Sequence, residues 1–122
     1  MKNGKHLLVD AYNCEPEVMN NPEFIKGMLL DITEMIGLRP LSEPLIYIVD
    51  ETMIQKKDTG ITGGIIFMES HFTFHAFPEQ RYFSADIYSC KDFKHKEVLE
   101  YFYIFFASPK MDYKIIKRGT EL

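Results

Sequence analysis

Three strand-like runs follow one another in the middle of this chain with little sequence between them. They cover Gly64 to Glu69, His71 to Phe77 and Tyr82 to Cys90, and they are rich in β-branched and aromatic residues. The last two runs are separated only by Pro78-Glu79-Gln80, a turn-forming sequence. This spacing predicts a meander or a set of hairpins, and the rest of the chain has to fold around it.

The third run alternates between two kinds of side chain. Because successive residues of a strand point to opposite faces, one face of this run is polar and the other is apolar. The polar set is Tyr82, Ser84, Asp86, Tyr88 and Cys90, and the apolar set is Phe83, Ala85 and Ile87. The sheet is therefore expected to have one core face and one polar face.

Helical spacing appears on either side of these strands. Asn21 can cap a helix that has Pro22 at its first position, and Gly37 supplies its stop. Between them, apolar residues recur at spacings of three and four, namely Ile25, Met28, Leu29, Ile32, Met35 and Ile36. A second helix is predicted over Lys96 to Ala107, where the sequence is apolar on nearly every side.

Three further strands complete the expected fold. They are Lys5 to Cys14, Leu45 to Val49 and Tyr113 to Lys117, with a polar loop over Asp50 to Gly63. The 122 residues are enough for one domain with one core and too few for two. The sequence therefore predicts a single α+β domain, a two-layer sandwich of an antiparallel sheet with two helices on one face.

Composition excludes several classes of protein. Hydrophobic residues make up 46% and charged residues 26%, which is typical of a soluble globular protein. The net charge of -4 and the scattered Lys and Arg residues argue against a nucleic-acid partner. No apolar run reaches the roughly 18 residues that cross a bilayer, and the amino terminus does not resemble a signal peptide. We expect a cytoplasmic protein without a membrane partner.

Cysteine and histidine spacing gives little sign of a cross-link or a metal. Cys14 and Cys90 are expected to be free thiols, because the chain is too large and too poor in cysteine to depend on a disulfide. His71 and His75 are four residues apart, a spacing that binds metal on a helix, but their segment is predicted to be a strand. We expect no metal site.

The reactive side chains gather in one stretch. Glu69, Ser70 and His71 follow an apolar run, His75 comes five residues after Ser70, and Cys90 comes twenty after it. Taken alone, three polar residues between strands usually form a turn. A hydroxyl, an imidazole and a thiol at these positions are nevertheless candidates for catalysis.

The whole stretch resembles the bacterial and archaeal type of S-adenosylmethionine decarboxylase. That family carries Gly-x-Ser-Gly, an apolar strand, Glu-Ser-His, a His five residues after the Ser, Pro-Glu, and a Cys that closes an Asp-containing strand. The matching residues here are Gly60-Ile61-Thr62-Gly63, Glu69-Ser70-His71, His75, Pro78-Glu79, and Asp86 with Cys90. The opening residues also resemble the family's first strand and helix, so the likeness covers most of residues 4 to 92.

The resemblance implies that the chain cuts itself. Ser70 would attack the carbonyl of Glu69 to form an ester, and β-elimination would then yield a chain of residues 1–69 and a chain of residues 70–122. The second chain would begin with a pyruvoyl group made from Ser70. His75 would act as acid and base, assisted by Thr62, which stands where the family usually has Ser.

The resemblance also implies roles in the mature enzyme. The pyruvoyl ketone would form a Schiff base with the amine of a small amino-acid-type substrate and withdraw electrons from the bond to its carboxylate. Cys90 would return a proton to the substrate. Glu79, Phe77 and Asp10 would contact the substrate, with Phe77 where relatives often have Trp and Asp10 where they often have Glu.

Strand geometry sets one condition on this site. Five extended residues span about 16 Å, and an odd separation places two side chains on opposite faces. We therefore expect a bend, bulge or irregular turn near Ser70 to Phe72, or a contact made through a second subunit. Family resemblance suggests a homodimer with its sheets facing each other.

Three functions remain open at this stage. The first is decarboxylation of S-adenosylmethionine to the aminopropyl donor for spermidine synthesis. The segment Gln55-Lys56-Lys57-Asp58-Thr59 lacks the aromatic and proline residues that help relatives hold adenine, so arginine or ornithine is an alternative substrate. The third possibility is an unprocessed homologue that regulates an active enzyme.

Overall fold

The computed structural model describes residues 3–122 and contains a six-stranded antiparallel sheet. The strands are β1 (Gly4–Tyr12), β2 (Leu45–Val49), β3 (Gly60–Ile66), β4 (Ser70–Phe77), β5 (Tyr82–Ser89) and β6 (Lys110–Arg118). Their order across the sheet is β2-β3-β4-β5-β1-β6, and every neighbouring pair is antiparallel. The strands β3, β4 and β5 form the predicted meander at the centre of the chain.

Two long helices and one short helix lie against the sheet. They are α1 (Pro16–Met19), α2 (Pro22–Ile36) and α3 (His95–Phe106), with short 3-10 turns at Lys56–Asp58 and Pro78–Gln80. The predicted α+β sandwich is confirmed, and α1 is an addition that the sequence did not predict. In the described part of the chain, residues 3–122, no helix combines the length and apolar character needed to cross a membrane.

The two ends of α2 are fixed by the residues expected to fix them. The side chain of Asn21 accepts hydrogen bonds from the backbone N–H groups of Glu23 and Phe24, at 3.0 and 3.2 Å. At the other end Gly37 adopts a left-handed conformation with φ of 70°, and its N–H and that of Leu38 bond back to the last turn. Capping by Asn and termination by Gly are therefore confirmed.

The core lies between the sheet and the long helices. Every second residue of β1, β4 and β5 is buried on this side, and aromatic rings fill its centre. Phe83 on β5 packs against Phe74 on β4 and against Phe102 and Phe106 on α3, with ring centroids 4.5–5.1 Å apart. The opposite face of the sheet is not covered by any helix of residues 3–122, and it holds the polar side chains predicted for one face of β5.

Strand β3 differs from the prediction. It covers Gly60–Ile66 instead of Gly64 to Glu69, because Gly60 to Gly64 pair with β2 and residues 61–66 pair with β4. Two strand neighbours stabilise a glycine-rich segment whose own propensity is that of a loop. The chain turns after Ile66, and Ser70 is the first residue of β4. Strand β6 is also longer than predicted, at Lys110–Arg118.

Gly60 is a position where the fold requires glycine. It has φ of 157°, and a Cβ atom there would overlap the carbonyl oxygen of Ala76 in the neighbouring strand. We expect Gly60→Ala to lower the free energy of unfolding by at least about 2 kcal/mol, since backbone cannot move away as a flexible side chain can. Urea-induced unfolding followed by circular dichroism would measure the change.

Gly27 offers a matched control for that substitution. It lies within α2, and a Cβ atom built on it meets no other atom within 4 Å. Gly27→Ala is therefore expected to raise the free energy of unfolding by about 0.5–1 kcal/mol, because alanine favours helix. Equal effects of the two substitutions would contradict the close approach at Gly60.

Candidate active site

The turn between β3 and β4 is held by three backbone hydrogen bonds. Phe67 N–H donates to the carbonyl of Ser70 at 3.0 Å, and Met68 N–H donates to the carbonyl of Arg39 at 3.1 Å. Leu41 N–H donates to the carbonyl of Ile66 at 2.8 Å. The turn is thus tied both to itself and to the segment that follows α2, so the Glu69–Ser70 peptide bond has a defined position.

The Ser70 hydroxyl is buried at the start of β4. Its Oγ donates to the Oγ of Ser89 at 2.9 Å, and the same Ser89 oxygen accepts a hydrogen bond from Lys91 N–H at 2.9 Å. Ser70 and Ser89 are paired across the β4–β5 ladder, and both side chains point to the helix side of the sheet. Ser89 was not predicted, although it faces Ser70 once the register of this hairpin is known.

The carbonyl oxygen of Glu69 accepts a hydrogen bond from the residue that follows β5. Cys90 N–H donates to it at 3.4 Å. A donor at this oxygen polarises the carbonyl and can stabilise negative charge that develops on it. The Glu69 side chain itself is exposed, so its peptide group and not its carboxylate is the feature held in place.

A cavity of about 270 Å³ opens beside this peptide bond. Its lining includes Glu69 and Ser70 together with two basic side chains, Arg39 and Lys91. The Lys91 ammonium donates to the carbonyl of Gly37 at 3.4 Å. Solvent or a small molecule can therefore approach the Glu69–Ser70 bond from the end of α2.

His75 and Thr62 form a pair on the opposite face of the sheet. The Oγ1 of Thr62 lies 3.0 Å from the Nδ1 of His75, because β3 and β4 place these residues directly opposite each other. Both side chains are half-buried. The structure places Thr62 and His75 side by side, but it does not bring them to Ser70 within one chain.

The expected distortion of β4 is absent among residues 70–77. From Ser70 to Phe77 the strand pairs with β5 at every position, and from His71 to Ala76 it also pairs with β3. The prediction of a bend or bulge near Ser70 to Phe72 is therefore wrong, and the irregular turn lies just before Ser70. A regular strand places Ser70 and His75 about 16 Å apart and on opposite faces.

Cys90 lies on the same open face as the Thr62–His75 pair, at the other end of the strands. It is a free thiol, as expected, and its Sγ lies 3.4 Å from the hydroxyl of Tyr88. The hydrogen bond to Cys90, with partial burial, raises the pKa of Tyr88. Tyr88 was recognised as part of the polar face but not as a neighbour of the thiol.

The residues expected to bind substrate cluster near the Thr62–His75 end. The ring of Phe77 stacks on Tyr82 with centroids 5.6 Å apart, and Tyr82 stacks in turn on Tyr12 at 5.4 Å. The Tyr82 hydroxyl donates to Asp10 at 2.6 Å. Burial, followed by this hydrogen bond, raises the pKa of Tyr82 to about 12.

Glu79 lies in the 3-10 turn that follows β4. It is exposed, and its carboxylate is 3.7 Å from the ammonium of Lys56 in the loop before β3. Gln80 ties the two segments together by donating to the carbonyl of Lys57 at 2.8 Å. The loop that lacks the family's aromatic and proline residues therefore contacts the turn that holds Glu79.

The open face also carries His6 and His71. His6 Nε2 lies 3.1 Å from the carboxylate of Asp86. Burial, together with the nearby His6, lowers the pKa of His71. Among residues 3–122, no three His, Cys, Asp or Glu side chains are close enough to share a metal ion.

Comparison with known proteins identifies the family. The family model described as S-adenosylmethionine decarboxylase matches residues 5–119. An S-adenosylmethionine decarboxylase proenzyme of Clostridium kluyveri is 33% identical over 90 residues, which are 73% of this chain and 64% of that protein. The chain thus aligns with less than two thirds of that relative. A proenzyme of the same name from Clostridium botulinum strain Langeland is 29% identical over 117 residues, covering 95% of this chain and 94% of the relative.

A solved structure supports the fold. The crystal structure of the adenosylmethionine decarboxylase from Aquifex aeolicus superimposes with a TM-score of 0.79 at 24% sequence identity. The superposition covers 98% of this chain and 93% of that chain. Together with the family model, these likenesses confirm the resemblance noted in the sequence, and the chain belongs to the S-adenosylmethionine decarboxylase family.

Proposed function

We propose that this chain is a proenzyme that cuts itself between Glu69 and Ser70 and then acts as a pyruvoyl-dependent decarboxylase of S-adenosylmethionine. The observation that carries the proposal is the arrangement at this one peptide bond. A buried hydroxyl follows the bond, a backbone N–H donates to its carbonyl, and a defined turn holds both. A chain of residues 1–69 and a chain of residues 70–122 would result.

The chemistry of cleavage begins at the Ser70 hydroxyl. Its oxygen attacks the carbonyl carbon of Glu69, the C–N bond breaks, and an ester forms between residues 69 and 70. Cys90 N–H, at 3.4 Å, would stabilise the charge on the carbonyl oxygen, and Ser89 would orient the hydroxyl by accepting its hydrogen bond. The proton lost from the hydroxyl would end on the Ser70 nitrogen, with His75 as the acid and base. Loss of the Ser70 Cα proton expels the Glu69 carboxylate, and addition of water with loss of ammonia leaves the pyruvoyl group.

The residues at Ser70 fit the formation of such a group. The hydroxyl already lies at the start of a strand whose ladder to β5 holds it in place. Cleavage would free the residue from the turn without cutting β3 or β4, because Glu69 lies between the two strands. The sheet could therefore persist after the chain is cut.

A second copy of the chain would bring His75 to the cleavage site. On the open face, residues that pair across neighbouring strands form three rows. The first row is Thr62, His75 and Ser84, the middle row is Thr73, Asp86 and Leu8, and the last row is His71, Tyr88 and His6. A two-fold axis running across the strands at that middle row would place the first row of one copy opposite the last row of the other. His75 of one copy would then lie at the Cys90 end of the other copy's open face, near the Glu69–Ser70 peptide group but on the side of the sheet opposite the Ser70 hydroxyl, and the enzyme would be a homodimer.

In the mature enzyme the pyruvoyl ketone supplies an electron sink for breaking the bond to the substrate carboxylate. Cys90 would give its proton to the carbon that has lost the carboxylate. The stacked rings of Phe77, Tyr82 and Tyr12 would offer an apolar surface to adenine, and Asp10 is fixed beside them. In the dimer just described, this surface of one copy would serve the Ser70 of the other.

Two features favour a nucleoside substrate over a free amino acid. The three stacked rings provide more aromatic surface than the side chain of arginine or ornithine needs. Glu79 already faces the ammonium of Lys56, so it is better suited to accept hydrogen bonds from ribose hydroxyls than to neutralise another cation. The substrate is accordingly S-adenosylmethionine, and its product would be the aminopropyl donor for spermidine synthesis.

Release of labelled carbon dioxide tests the substrate. Purified protein would be incubated separately with carboxyl-labelled S-adenosylmethionine, arginine and ornithine. We expect release from S-adenosylmethionine alone. Release from arginine or ornithine alone would overturn the substrate assignment while leaving the pyruvoyl chemistry, and release from none of them by an uncut chain would favour an unprocessed regulatory homologue.

A further inference from the structure

We propose that Tyr88 is a positioning residue for the Cys90 thiol, holding it in place and donating a hydrogen bond to the thiolate that remains after proton transfer. The inference rests on the proposed function, in which Cys90 protonates the substrate. It adds a residue that neither the family motif nor the cleavage chemistry uses. Tyr88 acts through Cys90 and has no role of its own at the reacting atoms.

The geometry of the strand end brings the two side chains together. Tyr88 is in β5 and Cys90 directly follows its last residue, so the two share the open face by the two-residue period. The phenol oxygen lies 3.4 Å from Sγ. Cys90 N–H donates at the same distance to the Glu69 carbonyl, which ties this residue to the bond that is to be cut.

The Tyr88 ring is enclosed on several sides. The Arg118 guanidinium lies over the ring at 4.7 Å from its centroid, and the rings of His71 and His6 are 5.6 and 6.3 Å away. A Cβ atom on Gly4 would lie 2.5 Å from the hydroxyl oxygen, so glycine at this position leaves room for the phenol. The ring orientation, and with it the hydroxyl, is therefore set by β1, β4 and β6.

Loss of the Cys90 proton determines which atom donates. Either atom can donate while the thiol is protonated, but only the phenol O–H can donate to the thiolate. The hydrogen bond to Cys90, with partial burial, also raises the pKa of Tyr88. The charged or titratable groups facing it are Arg118, His6 and His71, with Asp86 bonded to His6. When the S–H bond of Cys90 breaks and the substrate gains a C–H bond, the phenol O–H remains intact and stabilises the sulfur anion.

Alkylation of the thiol tests this contact without any need for turnover. In a Ser70→Ala background, iodoacetamide labelling of Cys90 would be followed at pH 7.5 by peptide mass spectrometry, which separates it from the buried Cys14. Loss of a hydrogen bond to the thiolate should slow labelling about three- to tenfold in Tyr88→Phe. Tyr113→Phe is the matched control. Tyr113 lies on β6 and pairs with Val9, whose side chain is buried on the helix side, so the Tyr113 side chain is on the opposite face of the sheet from Cys90.

Gly4→Ala supplies an independent variant that keeps the phenol. Its added methyl group would displace the Tyr88 ring, so its labelling rate should resemble that of Tyr88→Phe. If Tyr88→Phe and Gly4→Ala both label at the rate of Tyr113→Phe, the proposal is overturned. This result does not depend on cleavage or decarboxylation, so it is distinguishable from a failure of the proposed function.

A second readout uses the processed enzyme. If Cys90 is slow to protonate the substrate carbon, the proton can go to the carbon of residue 70. Hydrolysis of the C=N bond then leaves the substrate nitrogen on residue 70 as alanine, and the substrate carbon is released as an aldehyde whose oxygen comes from water. Edman sequencing would measure the fraction of 70–122 chains that begin with alanine. This fraction should be about tenfold higher in Tyr88→Phe than in Tyr113→Phe, because a factor of ten needs only a modest change in the difference between the two protonation barriers. An unchanged share in an active variant would contradict the proposal.

Discussion

Replacing Ser70 by alanine is expected to leave a folded chain that neither cuts itself nor releases carbon dioxide from substrate. In the proposed mechanism the hydroxyl is the nucleophile, so no ester can form without it, and no pyruvoyl group can follow. The structural cost should be small, because Ser70→Ala removes a single hydrogen bond, to Ser89. That loss should lower the free energy of unfolding by about 1 kcal/mol, which corresponds to a drop of about 3–6 °C in melting temperature for a domain of this size.

Ser89→Ala is the matched control. It removes the Ser89 oxygen, which accepts hydrogen bonds from both the Ser70 hydroxyl and Lys91 N–H. It should therefore destabilise the chain at least as much as Ser70→Ala does. We expect Ser89→Ala to cut itself, though about 10- to 100-fold more slowly, as in loss of a group that only orients a nucleophile. Gel electrophoresis over time would follow both variants.

The comparison separates chemistry from stability. If Ser70→Ala still turned over substrate, the pyruvoyl proposal would be wrong. If Ser70→Ala failed to fold while Ser89→Ala folded, the loss of cleavage could not be assigned to the nucleophile, and Ser70→Thr would then be used to retain a hydroxyl at the position. Cleavage by Ser70→Thr would restore the assignment.

Mixing two inactive variants is expected to restore cleavage. His75→Ala and Ser70→Ala should each be uncut when produced alone, because one lacks the acid and base and the other lacks the nucleophile. In a mixed dimer, one site combines Ser70 of the first chain with His75 of the second. With equal amounts and random pairing, about half of the His75→Ala chains should be cut, since half of them have the other variant as partner.

The experiment tests where His75 acts. The two variants would be produced together with different affinity tags, and mass spectrometry would show which chain is cut. Two differently tagged copies of His75→Ala serve as the control and should stay intact. Absence of cleavage in isolated mixed dimers would contradict the two-subunit site. Full cleavage of His75→Ala by itself would remove His75 from the cleavage mechanism.

Local signals were enough to predict much of the fold. Asn21 and Gly37 bound α2 because capping depends only on neighbouring residues, and the alternation from Tyr82 to Cys90 gave the two faces of β5. Strand β3 was misplaced because its glycines favour a loop and only pairing with two neighbours makes it a strand. Strand register is a property of the tertiary structure and is not encoded in a single segment.

The residues of the candidate site could likewise be predicted only where a local sequence pattern marks them. Ser70, His75 and Cys90 were predicted from the resemblance to a known motif. Ser89 and Tyr88 were not, because their contacts with Ser70 and Cys90 depend on the β4–β5 register and the open face. The separation of Ser70 from His75 followed from strand geometry, and the regular ladder of β4 then excluded a bend within the strand.

The mass of the purified full-length protein tests the central claim most directly. After incubation at neutral pH, intact-protein mass spectrometry should show two chains, residues 1–69 and residues 70–122, with the second lacking a free amino terminus because it begins with the pyruvoyl group. A single mass corresponding to the uncut chain of 122 residues after prolonged incubation would contradict the account.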